Sequence, residues 1–446
     1  MMNLIHEGYR LLQHNRWPRE RILRFSEERF SQVVKFAFSE RPFYRDLYRA
    51  WGIREADLPH LTPQDLPIIT KDDVRGNFER IAPHPVIPSH KWAFDAGDPA
   101  SKSIDGYILV HSSGSTGKPC NFLYDERAMT AVEANMIRIS MLGKNSITLR
   151  DFPIRVLYVA SVGSGYASTA LALSGIEKYG ARSVILNVQD PWETWVDRIQ
   201  RFNPNYLGGY PSCIKLIADL QKEGKICIHP KKIITGGEPL SEETSWYLQK
   251  TFGADIIDYY ACTESLVIGI GMNSQKGLYL FDDMNYCEVD EHNRLIITPL
   301  YNRAFPLIRY RLDDMVEGFN RQGTGALPYT YIDRILGRDE EIMWFRNGEW
   351  KWDFLHPLFL DDLDVPGIKQ YQFVQTGETS LVIRVVGEPE IPEQELRLKI
   401  SDQMNSFLAR KNLGNIRYSV EFCESLKADP LTGKTKLVEK TAKISP

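Results

Sequence analysis

Apolar residues recur at helical spacing early in the chain. Phe30, Val33, Val34 and Phe38 predict a helix over 27–50, inside a region of about eighty residues that reads as helical. Pro59, Pro63 and Pro67 then break the pattern. Asp72 and Asp73, following Thr70 and Lys71, predict a new helix start. From about 106 to 298, short apolar runs alternate with amphipathic segments. Strands are predicted over 156–160, 183–188, 232–234 and 256–260, and helices over 192–202, 211–222 and 241–251. Such alternation predicts an α/β chain with largely parallel sheets covered by helices, binding its ligand at the carboxyl ends of the strands. Beyond about residue 336 the pattern changes. Segments 371–374, 380–386 and 417–422 alternate as strands, and 393–409 reads as a helix. The expected organisation is a large domain, 1–336, followed by a small α+β domain, 337–446.

Composition narrows the class. A chain of 446 residues is too long for one compact core. The hydrophobic share of 43% and charged share of 25% are those of a soluble globular protein, and a net charge of −4 offers no overall basic surface for nucleic acid. The six cysteines form no C-x-x-C pair and no zinc-spaced cluster, so they read as reduced thiols of a cytoplasmic protein. Residues 1–19 are charged throughout and do not read as a signal peptide. The charge-free run 156–176 is long enough for a membrane span, but Gly163, Gly165 and several serines favour a buried strand, a loop and a helix start, and no membrane association is expected.

Six short motifs carry chemistry. The sharpest is His111-Ser112-Ser113-Gly114-Ser115-Thr116-Gly117-Lys118-Pro119. Its glycines let backbone N–H groups approach an anion, its hydroxyls donate further bonds, and its lysine adds charge, which suits a triphosphate. The spacing is not that of a Walker A loop. Tyr260-Ala261-Cys262-Thr263-Glu264 follows a predicted strand and offers a carboxylate for Mg2+ and an aromatic ring for a base. Gly236-Gly237-Glu238-Pro239 reads as a turn and helix start. The stretch from Asn302 to Asp314 offers an aspartate for ribose hydroxyls, or is a basic strand with a charged turn. Gly337-Arg338-Asp339-Glu340-Glu341 sits at the expected domain boundary, and Thr432-Gly433-Lys434 near the end is a mobile lysine loop or a solvated tail.

In their order along the chain these motifs resemble the acyl-adenylate-forming superfamily, and within it the phenylacetate–coenzyme A ligase-like group. Arg41-Pro42-Phe43-Tyr44-Arg45 and Leu66-Pro67-Ile68-Ile69-Thr70-Lys71 share the resemblance, which spans nearly the whole chain. It implies a large adenylate-forming domain and a small mobile lid that turns about Glu340. It implies that ATP and Mg2+ activate a carboxylic acid to acyl-AMP, and that the acyl group then passes to coenzyme A. The alternatives are a carrier-protein thiol, an amine or a phenol as acceptor, or a binding protein without catalysis. Some relatives form homodimers.

Residue by residue, the resemblance places Ser112, Ser113, Gly114, Ser115, Thr116, Gly117 and Lys118 around the β- and γ-phosphates. Gly237, Glu238, Pro239, Asp258, Tyr259 and Tyr260 would line adenine, Thr263 the α-phosphate, Glu264 the Mg2+ ion, and Asp314 the ribose. Arg338 would assist at ribose and phosphate. Lys434 would bridge the carboxylate and the α-phosphate, with Lys436 as its rival because no arginine precedes Gly433. By position the acyl pocket would involve 158–166 and 208–212, among them Tyr166, Gly209, Tyr210 and Pro211; with Tyr206, the tyrosines suit a flat aromatic acid with a polar handle, or are packing aromatics.

Overall fold

The computed structural model describes residues 2–83, 103–104, 106–111, 120–146, 148–160, 180–188, 190–272, 276–323, 325–336, 343–355, 360, 363, 365–427, 436–441 and 444. The chain opens with helices Met2–His14, Arg19–Glu40 and Pro42–Ala50. The single helix expected over 27–50 is interrupted at Arg41, which is extended (φ −119°, ψ 113°). Pro42 excludes its predecessor from helical geometry and then serves as the first residue of the next helix. The helix start at Thr70 forms as expected. The Thr70 hydroxyl accepts from the Asp73 N–H, and the Asp73 carboxylate accepts from the Thr70 N–H. A buried network fastens the first helix: Asp283 accepts from Arg138 and bonds His14, each at 2.8 Å.

Among the described residues the central sheet holds eight strands: β1 (Arg155–Ala160), β2 (Arg182–Asn187), β3 (Tyr206–Gly209), β4 (Lys232–Gly236), β5 (Asp255–Tyr260), β6 (Gly269–Met272), β7 (Leu278–Leu280) and β8 (Thr330–Ile332). Their spatial order is β8-β7-β6-β5-β4-β3-β1-β2. The pairs from β5 through β2 are parallel, and those from β5 through β8 antiparallel. Helices Glu193–Phe202, Pro211–Lys222 and Glu242–Phe252 connect successive parallel strands, close to their expected bounds. The strand order turns back at β1, where sheets of this kind take their ligands.

A hairpin, Tyr107–His111 with Asn121–Asp125, and a four-stranded sheet led by Asn285–Val289, Arg294–Pro299 and Tyr310–Glu317 flank the central sheet. The C-terminal elements are a hairpin, Met343–Arg346 with Trp352–Leu355, and a sheet of Ile368–Gly377, Ser380–Gly387, Arg417–Phe422 and Val438–Lys440 with helix Glu393–Arg410. They share one apolar core with the parallel strands, in which Leu157, Trp195 and Ile256 join Phe354, Met404 and Val438. All six cysteines are free thiols. Among the described residues no helix is long and apolar enough to cross a membrane; β1 takes up the start of the 156–176 run, and 161–179 lies outside them.

Candidate active site

The carboxyl edge of the parallel strands gathers several motifs. The ladder sets Tyr158 beside Gly208, Gly209 beside Thr235, and Gly236 beside Tyr259. The strand ends therefore lie in one row. Two glycines allow this row to pack against aromatic rings. A Cβ on Gly208 would collide with the Tyr158 ring, and Gly237 (φ +81°) would carry its Cβ 3.0 Å from the ring of buried Tyr210. Pro211 opens the helix that follows Tyr210. Glu238 reaches the start of that same helix rather than its own downstream one, accepting from the Ser212 N–H at 3.2 Å. Asp258 lies one strand over, and burial pushes its carboxyl up to about 7, opposed by a hydrogen bond from Thr235.

The second and fourth motifs meet. The Tyr260 hydroxyl donates to the Asp314 carboxylate at 2.8 Å across 54 residues of sequence. The Tyr310 hydroxyl donates to Glu264 Oε1 at 3.0 Å, and Tyr124 donates to the Thr263 carbonyl at 2.7 Å. Glu264 is buried, and desolvation pushes its carboxyl above the usual range. Its own backbone, the Lys71 charge and the Tyr310 hydroxyl oppose that shift. Lys71 is brought there because Ile69 pairs with the strand at Tyr310, donating to the Arg309 carbonyl and accepting from the Arg311 N–H. Cys120, beside the His111–Asn121 pair where the two hairpin strands flank residues 112–119, lies within the electrostatic reach of Glu264 and Lys71.

Gly209, Tyr210, Pro211, Gly237, Glu238, Pro239, Asp258, Tyr259, Tyr260, Thr263, Glu264 and Asp314 are thus brought to one edge or directly beside it. Ser112, Ser113, Gly114, Ser115, Thr116, Gly117, Lys118, Tyr166, Arg338, Glu340 and Lys434 lie outside the described residues. Lys436 is exposed, and its carbonyl accepts from Gln372. Tyr206 stands at the opposite, amino end of β3, in the field of Asp151 and Asp255, because three residues of extended chain lie between it and Tyr210. Tyr124 escaped the sequence reading, and Tyr310 entered it only within the 302–314 stretch, with no partner assigned. Each is an aromatic in a strand-like run, and only the fold tells a hydrogen-bonding tyrosine from a packing one.

A largely parallel sheet that gathers these motifs at its carboxyl edge fits one class, the adenylate-forming enzymes. The chain belongs to the AMP-binding enzyme family, whose model matches residues 53–287, just over half of it. Within that family it falls in the phenylacetate–coenzyme A ligase-like group of AMP-forming ligases. It is 24% identical to the phenylacetate–coenzyme A ligase of Escherichia coli K12 over 347 residues, covering 72% of this chain and 71% of that one. It is 22% identical to the CapK protein of Staphylococcus aureus over 346 residues, covering 72% and 69%. Among solved structures it resembles 2-hydroxyisobutyryl-CoA ligase. The complex with 2-HIB-AMP and CoA in the thioesterification state matches with a TM-score of 0.60 at 20% identity, covering 96% and 91% of the two chains. The postadenylation state matches with a TM-score of 0.54 at 19% identity, covering 93% and 88%.

Proposed function

We propose that the protein uses ATP to convert an aromatic carboxylic acid to its acyl-AMP, releasing pyrophosphate, and then transfers the acyl group to the thiol of coenzyme A. The observation that supports this most is the Tyr260–Asp314 hydrogen bond, with Glu264 close by in sequence and buried against Tyr310. Two separate stretches of chain there offer a ribose acceptor, a base-flanking ring and a phosphate-side carboxylate. In the first step a carboxylate oxygen attacks the α-phosphorus, and the bond to the pyrophosphate oxygen breaks. In the second, the thiolate attacks the acyl carbon, and AMP departs with one carboxylate oxygen.

The obstacle to the first step is repulsion between two anions, so fixed positive charge and donors supply most of the catalysis. In this reading Lys434 lies between carboxylate and α-phosphate, and Thr263 contacts the α-phosphate. Ser112, Ser113, Ser115, Thr116 and Lys118 hold the outer phosphates. Asp314 and Arg338 hold the ribose, and Gly237, Glu238, Pro239, Asp258, Tyr259 and Tyr260 line the adenine. Glu264 is a buried carboxylate that accepts from the Tyr310 hydroxyl. That fits Mg2+, which binds through one or two carboxylates and the substrate phosphates. When bound it would neutralise phosphate charge. Tyr166, Gly209, Tyr210 and Pro211 line the acyl pocket, where flat rings against a glycine backbone suit an aromatic acid. Residues 337–446 turn about Glu340 between the steps and withdraw Lys434. Free thiols and a requirement for ATP suit the cytoplasm.

ATP–pyrophosphate exchange across a panel of carboxylic acids, with and without coenzyme A, tests this reading. Exchange is expected with aromatic acids, and acyl-CoA in the same tubes when coenzyme A is present. Exchange with no acid overturns it. Lys434→Ala is expected to cripple adenylation more than thioester formation from supplied acyl-AMP; equal loss in both would reassign the lysine.

A further inference from the structure

A buried ion pair joins the C-terminal elements to the edge of the parallel sheet. Lys411, at the end of helix Glu393–Arg410, sets its Nζ 2.9 Å from Oδ1 of Asp353 on strand Trp352–Leu355, and the two side chains are 0% and 5% exposed. Both charges also bond one turn of the other part of the chain. Lys411 Nζ donates to the Asp190 carbonyl at 2.8 Å, and the Asp353 carboxylate accepts from the Trp192 N–H. Aromatic rings seal the contact. Phe354 stands edge-on to Trp192 and Trp195 at 6.1 and 5.9 Å, and Lys411 Nζ lies 4.3 Å above the Phe354 ring. At the exposed rim, Lys351 Nζ meets Glu193 at 3.1 Å.

A buried ion pair contributes little net affinity, because desolvation offsets attraction, yet removal of one partner is costly. Such a pair therefore selects one docking geometry over neighbouring ones. Here Lys411 and Asp353 travel together, so separating the C-terminal elements from the 190–195 turn returns an intact pair to water. A cleft of about 910 Å3 beside the contact, lined by Trp192, Val196, Trp344, Arg346 and Trp350, leaves the junction incompletely packed. We infer that Lys411 and Asp353 are positioning residues that dock the C-terminal unit reversibly on the 190–195 turn, in the arrangement used for acyl transfer to the thiol. The assignment to that step rests on the proposed function, and the better superposition on the thioesterification state supports it.

The test places Glu193→Cys and Lys351→Cys at the rim, in a Cys227→Ser background, and measures the yield of a short bis-maleimide cross-link by peptide mass spectrometry. The yield is expected to fall at least fivefold in Lys411→Met or Asp353→Asn and to recover in Lys411→Met combined with Asp353→Leu. Unchanged yield in the single variants overturns the inference. Equal loss in single and double variants also overturns it, since the pair would then only support the fold. In the chain without the added cysteines, each single variant is expected to keep acid-dependent pyrophosphate exchange and lose at least tenfold in single-turnover acyl transfer. Loss of exchange with transfer retained refutes the assigned step. The cross-link needs no substrate, so absence of exchange in the parent protein would refute the proposed function and leave the docking result standing.

Discussion

Tyr310→Phe removes one hydroxyl and leaves the ring, which packs edge-on against Phe122, in place. The lost hydroxyl donates to Glu264 Oε1 at 3.0 Å in a buried site. A hydrogen bond to a charged group contributes about 1.5–3 kcal/mol, and here it favours the ionised carboxylate over the neutral acid. Its removal therefore raises the pH at which Glu264 ionises. Burial already holds Glu264 above the usual carboxylate range, so the two effects add in the same direction. In the proposed function only the ionised form serves Mg2+ and the phosphates. Activity is therefore lost as pH falls through the folded-state value, and the variant loses it at higher pH than the parent. The assay is pyrophosphate exchange from pH 5 to 9 at saturating ATP and Mg2+. The acid limb should move up while the plateau at high pH recovers most of the parental rate. A uniform loss at every pH, or an unmoved limb, would refute the role given to this hydrogen bond.

Other consequences follow from the same geometry. Asp314→Ala should weaken ATP use by about 10- to 100-fold in kcat/KM, and the variant should no longer discriminate against 2′-deoxy-ATP, since the proposed contact is to the ribose. Glu264→Gln should need more than about tenfold higher Mg2+ for exchange. It should also melt at higher temperature than the parent near pH 8. The folded-state pKa of Glu264 is raised, so its ionisation penalises the fold as pH climbs through that value, and the gain should vanish in acid, where both states are neutral. Gly208→Ala drives a Cβ into the Tyr158 ring and should cost about 1–3 kcal/mol by overpacking, read in denaturant melts, with altered acid preference in the exchange panel.

The parallel core was legible because its signals are local. Pro211 before an amphipathic run fixes the start of helix Pro211–Lys222, and β-branched runs mark β4 and β5. The bounds of β4 extend past the expected 232–234, because Thr235 and Gly236 join the ladder through backbone bonds that no hydrophobic pattern reveals. Pro42 had the opposite effect, ending a helix whose apolar spacing runs on without interruption. In the site, the motif residues could be named but their partners could not. That Tyr260 meets Asp314, or that Lys71 approaches Glu264, depends on strand pairing across more than fifty residues. The Lys411–Asp353 pair is less legible still. Each residue reads alone as an ordinary surface charge, and only the packing of three elements buries them.

The most direct test of the account follows oxygen. The acid is labelled with 18O in its carboxylate and turned over with ATP and coenzyme A, and the AMP released is weighed by mass spectrometry. Attack of the carboxylate on the α-phosphorus, followed by thiol attack on the acyl carbon, requires one 18O in each AMP formed and none in pyrophosphate. Unlabelled AMP, or label recovered in phosphate or pyrophosphate, would show that no acyl-adenylate forms.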